Sequence, residues 1–435
     1  MRNELIRSRF FFVVLMFLFL FFQQWMGLLV EPITIQFSQA ASVLDRWINT
    51  ILPVHVIFAM VFLPIWGVLF DRHTRKRVLS LAGFLWGVSA WLMGIAPTFP
   101  TYNISRVLSG MASAGYSGIY AMVGDLFKPT NRGKVFSLLL LAQPLAIILL
   151  ALMPNFADSP FGWRPILLFF GAIAFLLTIA IQLFIKEPKR GAKEPALADI
   201  PITGTYLLET DIALKDVITP SLLLIFLFIF LGTIPVYVLL VGMGDYLRNT
   251  HGLQPQIVLT NMLPAMVGVL LGYPLGGVLG DFFFRYKKNG RLFTSLLGLV
   301  IPTICLYRAL QMQDVLTGQF LLFMLLVSVF MAFGLPNLMA SIMDVALPET
   351  RATAGALGLF FQSMGIFIAP MIFSWARVYL SIGDAMLVIS IAAWMLCLLL
   401  CVGLIVLIPK DIEHLRRHMA YRGHLEARLA KSKVR

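Results

Sequence analysis

Charge is scarce in this chain. Asp, Glu, Lys and Arg together make up 13% of its 435 residues, against roughly 25% in an ordinary soluble domain. Acidic residues are the scarcer sign, 21 against 34 basic, for a formal net charge of +13. Cysteine is almost absent. The three present, Cys305, Cys397 and Cys401, lie inside apolar stretches, with neither metal-ligand spacing nor a disulfide framework, so no metal site is expected. There is no G-x4-G-K-[ST] loop, no His-Glu-x2-His and no nucleophile elbow, which argues against ATP as a direct energy source, unless a partner chain supplies it, and against an enzyme; no cofactor is expected. Period-two alternation is missing, which argues against a β-barrel. No groove-reading or RNA-binding motif accompanies the positive charge, so no nucleic-acid partner is expected.

Long apolar runs are abundant. Hydrophobic residues make up 59% of the chain and mean hydropathy is +0.88. A bilayer core needs about 20 apolar residues per helix. Twelve stretches qualify: 10–36, 50–70, 78–96, 104–125, 134–153, 165–185, 220–247, 257–284, 291–310, 318–344, 352–376 and 384–408. The first is too long for a signal-peptide core and no small-residue cleavage site follows it, so it reads as a span. The expected architecture is all-α and integral to the membrane: a six-helix half (1–185), a linker (186–219), a second six-helix half (220–408) and a basic tail (409–435). The tail reads as a surface or frayed helix near anionic lipid, or as a regulatory binding segment.

Orientation follows from the basic residues. Of the 34 Lys and Arg, 28 fall in the tails and in one alternating set of loops; the other set holds Arg46, Arg164, Arg248, Arg308 and Arg377. By the positive-inside rule both termini are cytoplasmic. The expected location is a multi-pass position in a prokaryotic inner membrane, as a monomer.

One polar signature occurs twice. Asp125-Leu-Phe-Lys-Pro129-Thr-Asn-Arg132 recurs as Asp344-Val-Ala-Leu-Pro348-Glu-Thr-Arg351, with identical Asp-x3-Pro-x2-Arg spacing. Upstream of each lies a second pair, Gly67-Val-Leu-Phe-Asp71-Arg-His-Thr-Arg75 and Gly277-Val-Leu-Gly-Asp281-Phe-Phe-Phe-Arg285. Duplicated charged turns in an apolar chain mark a two-fold repeat membrane protein, of which transporters are the commonest kind.

Twelve spans in a six-plus-six repeat, with Gly67, Asp71, Arg72, Arg75, Lys76 and Arg77 between spans two and three, resemble the major facilitator superfamily. Thr74 stands where that motif usually has glycine. Three segments resemble the Spinster-type lipid transporters: Glu187-Pro-Lys-Arg-Gly-Ala-Lys-Glu194, Gly280-Asp281-x3-Arg285-x4-Gly290-Arg291, and Arg106-x3-Gly110 leading to Asp125-Leu-Phe. Ser113 stands about where such proteins carry a glutamate in span four, and Gln23 and Gln24 occupy the region of an early acidic residue in span one. The resemblance implies the major facilitator fold, alternating access and a lipid-like substrate.

In a repeat of this kind Arg75 is expected to bridge Asp71 and Asp125, and Asp281, Arg285 and Asp344 to form the counterpart. With Arg132 and Arg351 they would make a cytoplasmic gate, or else static anchors for the loops. Charges at membrane depth are costly and therefore informative. Glu31 and Arg106 are the candidates in the first half: Arg106 for the anionic part of a substrate, Glu31 as counter-charge or proton site, with a purely structural pair as the alternative. His55 is a further titratable candidate. Tyr116 and Tyr120, four residues apart, share a helix face, and Gln143 is a neutral polar residue at membrane depth. The expected function is secondary active transport of an amphipathic anionic or lipid-like substrate, coupled to protons. The alternatives are a small polar metabolite or organic anion as substrate, or a non-transporting receptor on the same fold.

Overall fold

The computed structural model describes the backbone of residues 2–40, 54–151, 162–197 and 219–433, and side chains for 9–37, 54–151, 162–197 and 219–424. Part of the linker, Arg46, and the side chains of Arg428, Lys431, Lys433 and Arg435 lie outside the described residues.

Every regular element described is helical: α1 (Arg2–Ala40), α2 (Val54–Arg72), α3 (Arg75–Ile95), α4 (Phe99–Ser113), α5 (Ser117–Leu126), α6 (Pro129–Leu140), α7 (Ala142–Ala151), α8 (Arg164–Phe184), α9 (Pro220–Asp245), α10 (Pro255–Tyr286), α11 (Gly290–Leu310), α12 (Gly318–Met331), α13 (Gly334–Val345), α14 (Arg351–Ala376) and α15 (Ile382–Lys433). Proline at the first turn of α8, α9 and α10 sets those helix starts, because its missing N–H has no intrahelical partner there. Among the described residues, eleven helical segments are long and apolar enough to cross a membrane. The remaining expected span, the fourth, is α4 and α5 joined by a 3-10 turn at Ala114–Tyr116. Its apolar composition predicted the span and gave no sign of the break.

The chain forms two compact units: Met1–Met122 with Leu139–Pro188, and Val123–Leu138 with Lys189–Arg435. The segment 123–138, at the junction of spans four and five, thus belongs to the second unit.

In the second unit, the glycine stripe of α10 permits close helix contact. A Cβ at Gly272 would lie 2.2 Å from the Val329 carbonyl oxygen, and one at Gly277 would lie 2.5 Å from that of Gly133. Asn337 donates across to the Gly276 carbonyl of α10 (2.9 Å) and back to the Phe333 carbonyl at the start of its own helix (2.8 Å). The tail is not a separate element. α15 runs 52 residues from the last span through Pro409 and buries Ile408, Ile412, Leu415 and Met419 along one stripe. Leu415 and Met419 pack on Leu197 of the linker, and Arg422 pairs with Glu349 at 2.6 Å.

Candidate functional site

The duplicated turn has an awkward electrostatic design. In each copy the Asp closes a helix and the Arg opens the next, the reverse of what the helix macrodipole favours. Asp125 is next to last in α5 and Arg132 lies in the first turns of α6; Asp344 is next to last in α13 and Arg351 is the first residue of α14. The structure resolves the conflict by exchange. Arg132 of the first copy donates to Asp344 of the second at 2.6 Å, and Arg351 of the second donates to Asp125 of the first at 3.2 Å. The carbonyls that precede the two aspartates are shared, each arginine lying nearer the one of its own copy. Arg132 reaches Gly124 O (2.6 Å) and Met343 O (3.3 Å), while Arg351 reaches Met343 O (3.0 Å) and Gly124 O (3.4 Å).

Between the two arginines sits an unduplicated carboxylate. Glu194 of the linker accepts from Arg132 at 2.5 Å and from Arg351 through the same oxygen. At the other end Arg291 donates to both Asp344 and Asp281, the latter at 2.8 Å. The result is an alternating line of seven charges: Asp125, Arg351, Glu194, Arg132, Asp344, Arg291, Asp281. All are buried, none more than 6% exposed. The ends are tied to backbone: Asp125 accepts from Gly191 N–H (3.0 Å), and Asp281 from Gly133 N–H (3.0 Å) and Lys134 N–H (2.9 Å). Gly191 has φ of +68°, a conformation that favours glycine. Burial of Glu194 pushes its pKa up, but Arg351 and Arg132 outweigh that and hold it down at about 2.

Arg285 does not take the place expected of it. It is exposed at the end of α10, and Arg291, six residues on, supplies the cation for Asp281. Glu194 and Arg291 are the members the sequence analysis did not single out, although both lie in the segments that carry the Spinster resemblance. In the first unit, Arg75 is fully buried, pairs with Asp71 at 3.4 Å and donates to Ala121 O at 3.2 Å. Glu187 accepts the backbone N–H groups of Arg75 (2.9 Å) and Lys76 (2.8 Å). It therefore caps α3, whose own N-cap Thr74 makes no side-chain cap bond.

The membrane-depth candidates lie in the same unit. Arg106 is 3% exposed on α4, whereas Glu31 is exposed on α1; Tyr102 and Glu31 both stand close enough to act on its charge. His55 faces the Arg106 carbonyl at 3.4 Å, at a contact so tight that a Cβ at Gly110 would lie 2.5 Å from the His55 carbonyl oxygen. Tyr116 and Tyr120 share a face with ring centroids 6.1 Å apart. Gln143 is half-buried just after the break between α6 and α7. The 3-10 turn in span four frees backbone carbonyls, which must be satisfied in hydrocarbon. Two side chains do so: Trp66 donates to Met111 O (2.7 Å) and Gln23 to Ser113 O (3.3 Å). Gln23, in the region where the resemblance would place an acid, thus serves the break in span four.

The model of the family described as Major Facilitator Superfamily matches residues 11–370. The chain belongs to the Major Facilitator Superfamily. It is 24% identical to the 3-(3-hydroxy-phenyl)propionate transporter of Escherichia coli (strain K12) over 58% of this chain and 61% of that one. It is 28% identical to the sphingosine-1-phosphate transporter SPNS2 of Danio rerio over 38% and 34%, and 27% identical to protein spinster of Drosophila melanogaster over 62% and 44%. In each case the chain spans less than two thirds of the relative's length. The solved proton:xylose symporter XylE bound to 6-bromo-6-deoxy-D-glucose matches with a TM-score of 0.70 over 93% of this chain and 97% of that one, at 18% identity, which shows the fold. The chain is therefore a multi-pass membrane protein of a transporter family, and the expected superfamily and Spinster resemblance are both supported.

Proposed function

We propose that this superfamily member is a secondary active transporter working by alternating access, with the seven-charge line as its cytoplasmic gate. The observation that carries the reading is the exchange of partners between the two copies of the repeated turn. Each arginine is held by the other copy's aspartate, and the linker's Glu194 holds both. Static anchoring of loops needs no such exchange, since each arginine would serve beside its own aspartate. The excess of basic residues in this set of loops supports a cytoplasmic position for the line and for both termini; the proposed location is the inner membrane of a prokaryotic cell. A network that forms in one state and breaks in another biases the equilibrium between them. Residues 1–185 and 220–408 act as the two repeat halves of a monomer.

For substrate we propose an amphipathic anion, lipid-like in character, that meets Arg106. A buried guanidinium in an apolar span recognises a carboxylate or phosphate by charge-assisted hydrogen bonds. The names of the Escherichia coli and Danio rerio relatives both describe an anionic group on an apolar body. A small organic anion is the second reading, favoured by the first of those names. Glu31, exposed and near Arg106, is the proposed proton site, with His55, Tyr116, Tyr120 and Gln143 as neighbouring polar groups.

The test is uptake into proteoliposomes. Arg106→Ala is expected to abolish uptake at wild-type expression, and Arg106→Lys to retain part of it; full uptake by Arg106→Ala removes the binding role. Collapse of an imposed proton gradient is expected to stop accumulation, and an unchanged rate removes the proton role of Glu31. Saturable binding with no flux would identify a receptor.

A further inference from the structure

A groove of ≈ 790 Å³ opens on the surface of the second unit where spans eight and nine meet, on the side that the proposed orientation makes cytoplasmic. Phe282, Phe283 and Tyr286 from the end of α10 form one wall, and Phe293 and Leu297 from the start of α11 the other, with Lys287 at the lip. The aromatic wall is organised, with ring centroids 5.5 Å apart for Phe282 and Phe283 and 5.2 Å for Phe282 and Tyr286. The groove is preformed because the two helices meet tightly at its inner end: a Cβ at Gly290 would lie 2.3 Å from the Phe283 carbonyl carbon. Its lip is cationic at Lys287. Arg285, outside the lining, is exposed two residues before it on the end of α10, and no ion pair to a described residue engages either, while Lys288 is paired with Glu413 at 3.4 Å.

An apolar slot with Lys287 at its lip and Arg285 beside it, neither ion-paired among the described residues, matches the chemistry of an amphipathic anion. We propose that the groove binds an anionic phospholipid of the cytoplasmic leaflet, with an acyl chain against Phe282, Phe283, Phe293 and Leu297 and the phosphate held by Arg285 and Lys287. The charge fits, because the cytoplasmic leaflet carries the anionic lipid and basic side chains at its surface attract it. This also gives Arg285 a use, since Arg291 fills the place expected of it beside Asp281. The site lies one residue from the charge line on each wall. Asp281 precedes Phe282, and Arg291 follows Gly290 and stacks on Phe284 with its guanidinium carbon 4.1 Å from the ring centroid. The lipid therefore braces the two helix ends that hold the Asp281–Arg291 pair. The inference rests on the proposed orientation and not on what the protein transports.

The experiment titrates full-length detergent-solubilised protein with phosphatidylglycerol or phosphatidylcholine and counts retained lipids by native mass spectrometry. Wild type is expected to retain phosphatidylglycerol in preference to phosphatidylcholine. Arg285→Gln with Lys287→Gln weakens that retention about fivefold for each charge removed. Leu297→Trp, which fills the groove without changing charge, weakens it too. Arg72→Gln with Arg77→Gln, a control on exposed cations elsewhere, leaves it unchanged. Equal losses in the two double variants would reduce the effect to general attraction and overturn the proposal, as would undiminished retention by Leu297→Trp. Melting temperatures identify any variant that has failed to fold, and the charge and groove variants provide independent routes to the answer.

Discussion

Glu194 accepts from both repeat arginines through a single oxygen, which makes it the residue on which the gate reading rests most heavily. Removing one partner of a buried ion pair leaves the other uncompensated, at a cost of roughly 3–5 kcal/mol. Glu194→Ala is therefore expected to lower the melting temperature strongly. Glu194→Gln, which keeps an acceptor oxygen, costs less; equal melting temperatures for Glu194→Ala and wild type would show that the line is not held through this residue. The pH dependence follows from the sign of its shift. A carboxyl depressed from 4.5 to about 2 contributes stability that is full above pH 4.5 and is lost as pH falls towards 2. The melting-temperature difference between wild type and Glu194→Gln is expected to be flat from pH 5 to 8 and to shrink below 4.5. A difference that collapses between pH 5 and 8 would mean that Glu194 titrates in the physiological range. On this account Glu194 is not itself a proton switch.

At the scale of elements, α10 shows how packing separates glycines of the same composition. A methyl group at Gly272 would meet the Val329 carbonyl oxygen at 2.2 Å, whereas at Gly244, late in α9, the nearest atom is Met262 Sδ at 3.9 Å. Gly272→Ala is expected to reduce folded yield in detergent. Gly244→Ala is expected to raise the melting temperature, since removing a helix-interior glycine is worth about 0.5–1 kcal/mol. The same sign for both would contradict this packing. Spans were legible in the sequence because twenty apolar residues must be helical in a bilayer. The interruption of span four was not, since it depends on Trp66 and Gln23 reaching its carbonyls from other helices. The tail was only half legible. Its basic residues are visible in the sequence, but the stripe that docks it, Leu415 and Met419 on Leu197, has its partner in the linker.

For the whole molecule, the duplication and the charge asymmetry carried the most information. Identical Asp-x3-Pro-x2-Arg spacing announced two equivalent turns, and the basic bias put both on one side. Reciprocal pairing was not legible, because spacing within a copy suggests partners within a copy. Arg291 was missed for a related reason: Arg285 stands one helical turn after Asp281, the better local distance, yet the chain turns at Gly290 and brings Arg291 back to the same carboxylate. The seven charges lie within one compact unit that takes residues 123–138 from the first six spans, so the line ties both repeat copies and the linker together. The most direct test asks whether that tie opens. Ser137, 1% exposed and one turn beyond the Asp281 contact at Gly133 and Lys134, reports on it. Ser137→Cys in a background lacking the three native cysteines is labelled with a water-soluble maleimide, with and without Glu194→Gln, below the melting temperature of each. The account predicts slow labelling when Glu194 is present and severalfold faster labelling of the still-folded Glu194→Gln protein. Equal rates in the two folded proteins would contradict a gate held by this line of charges.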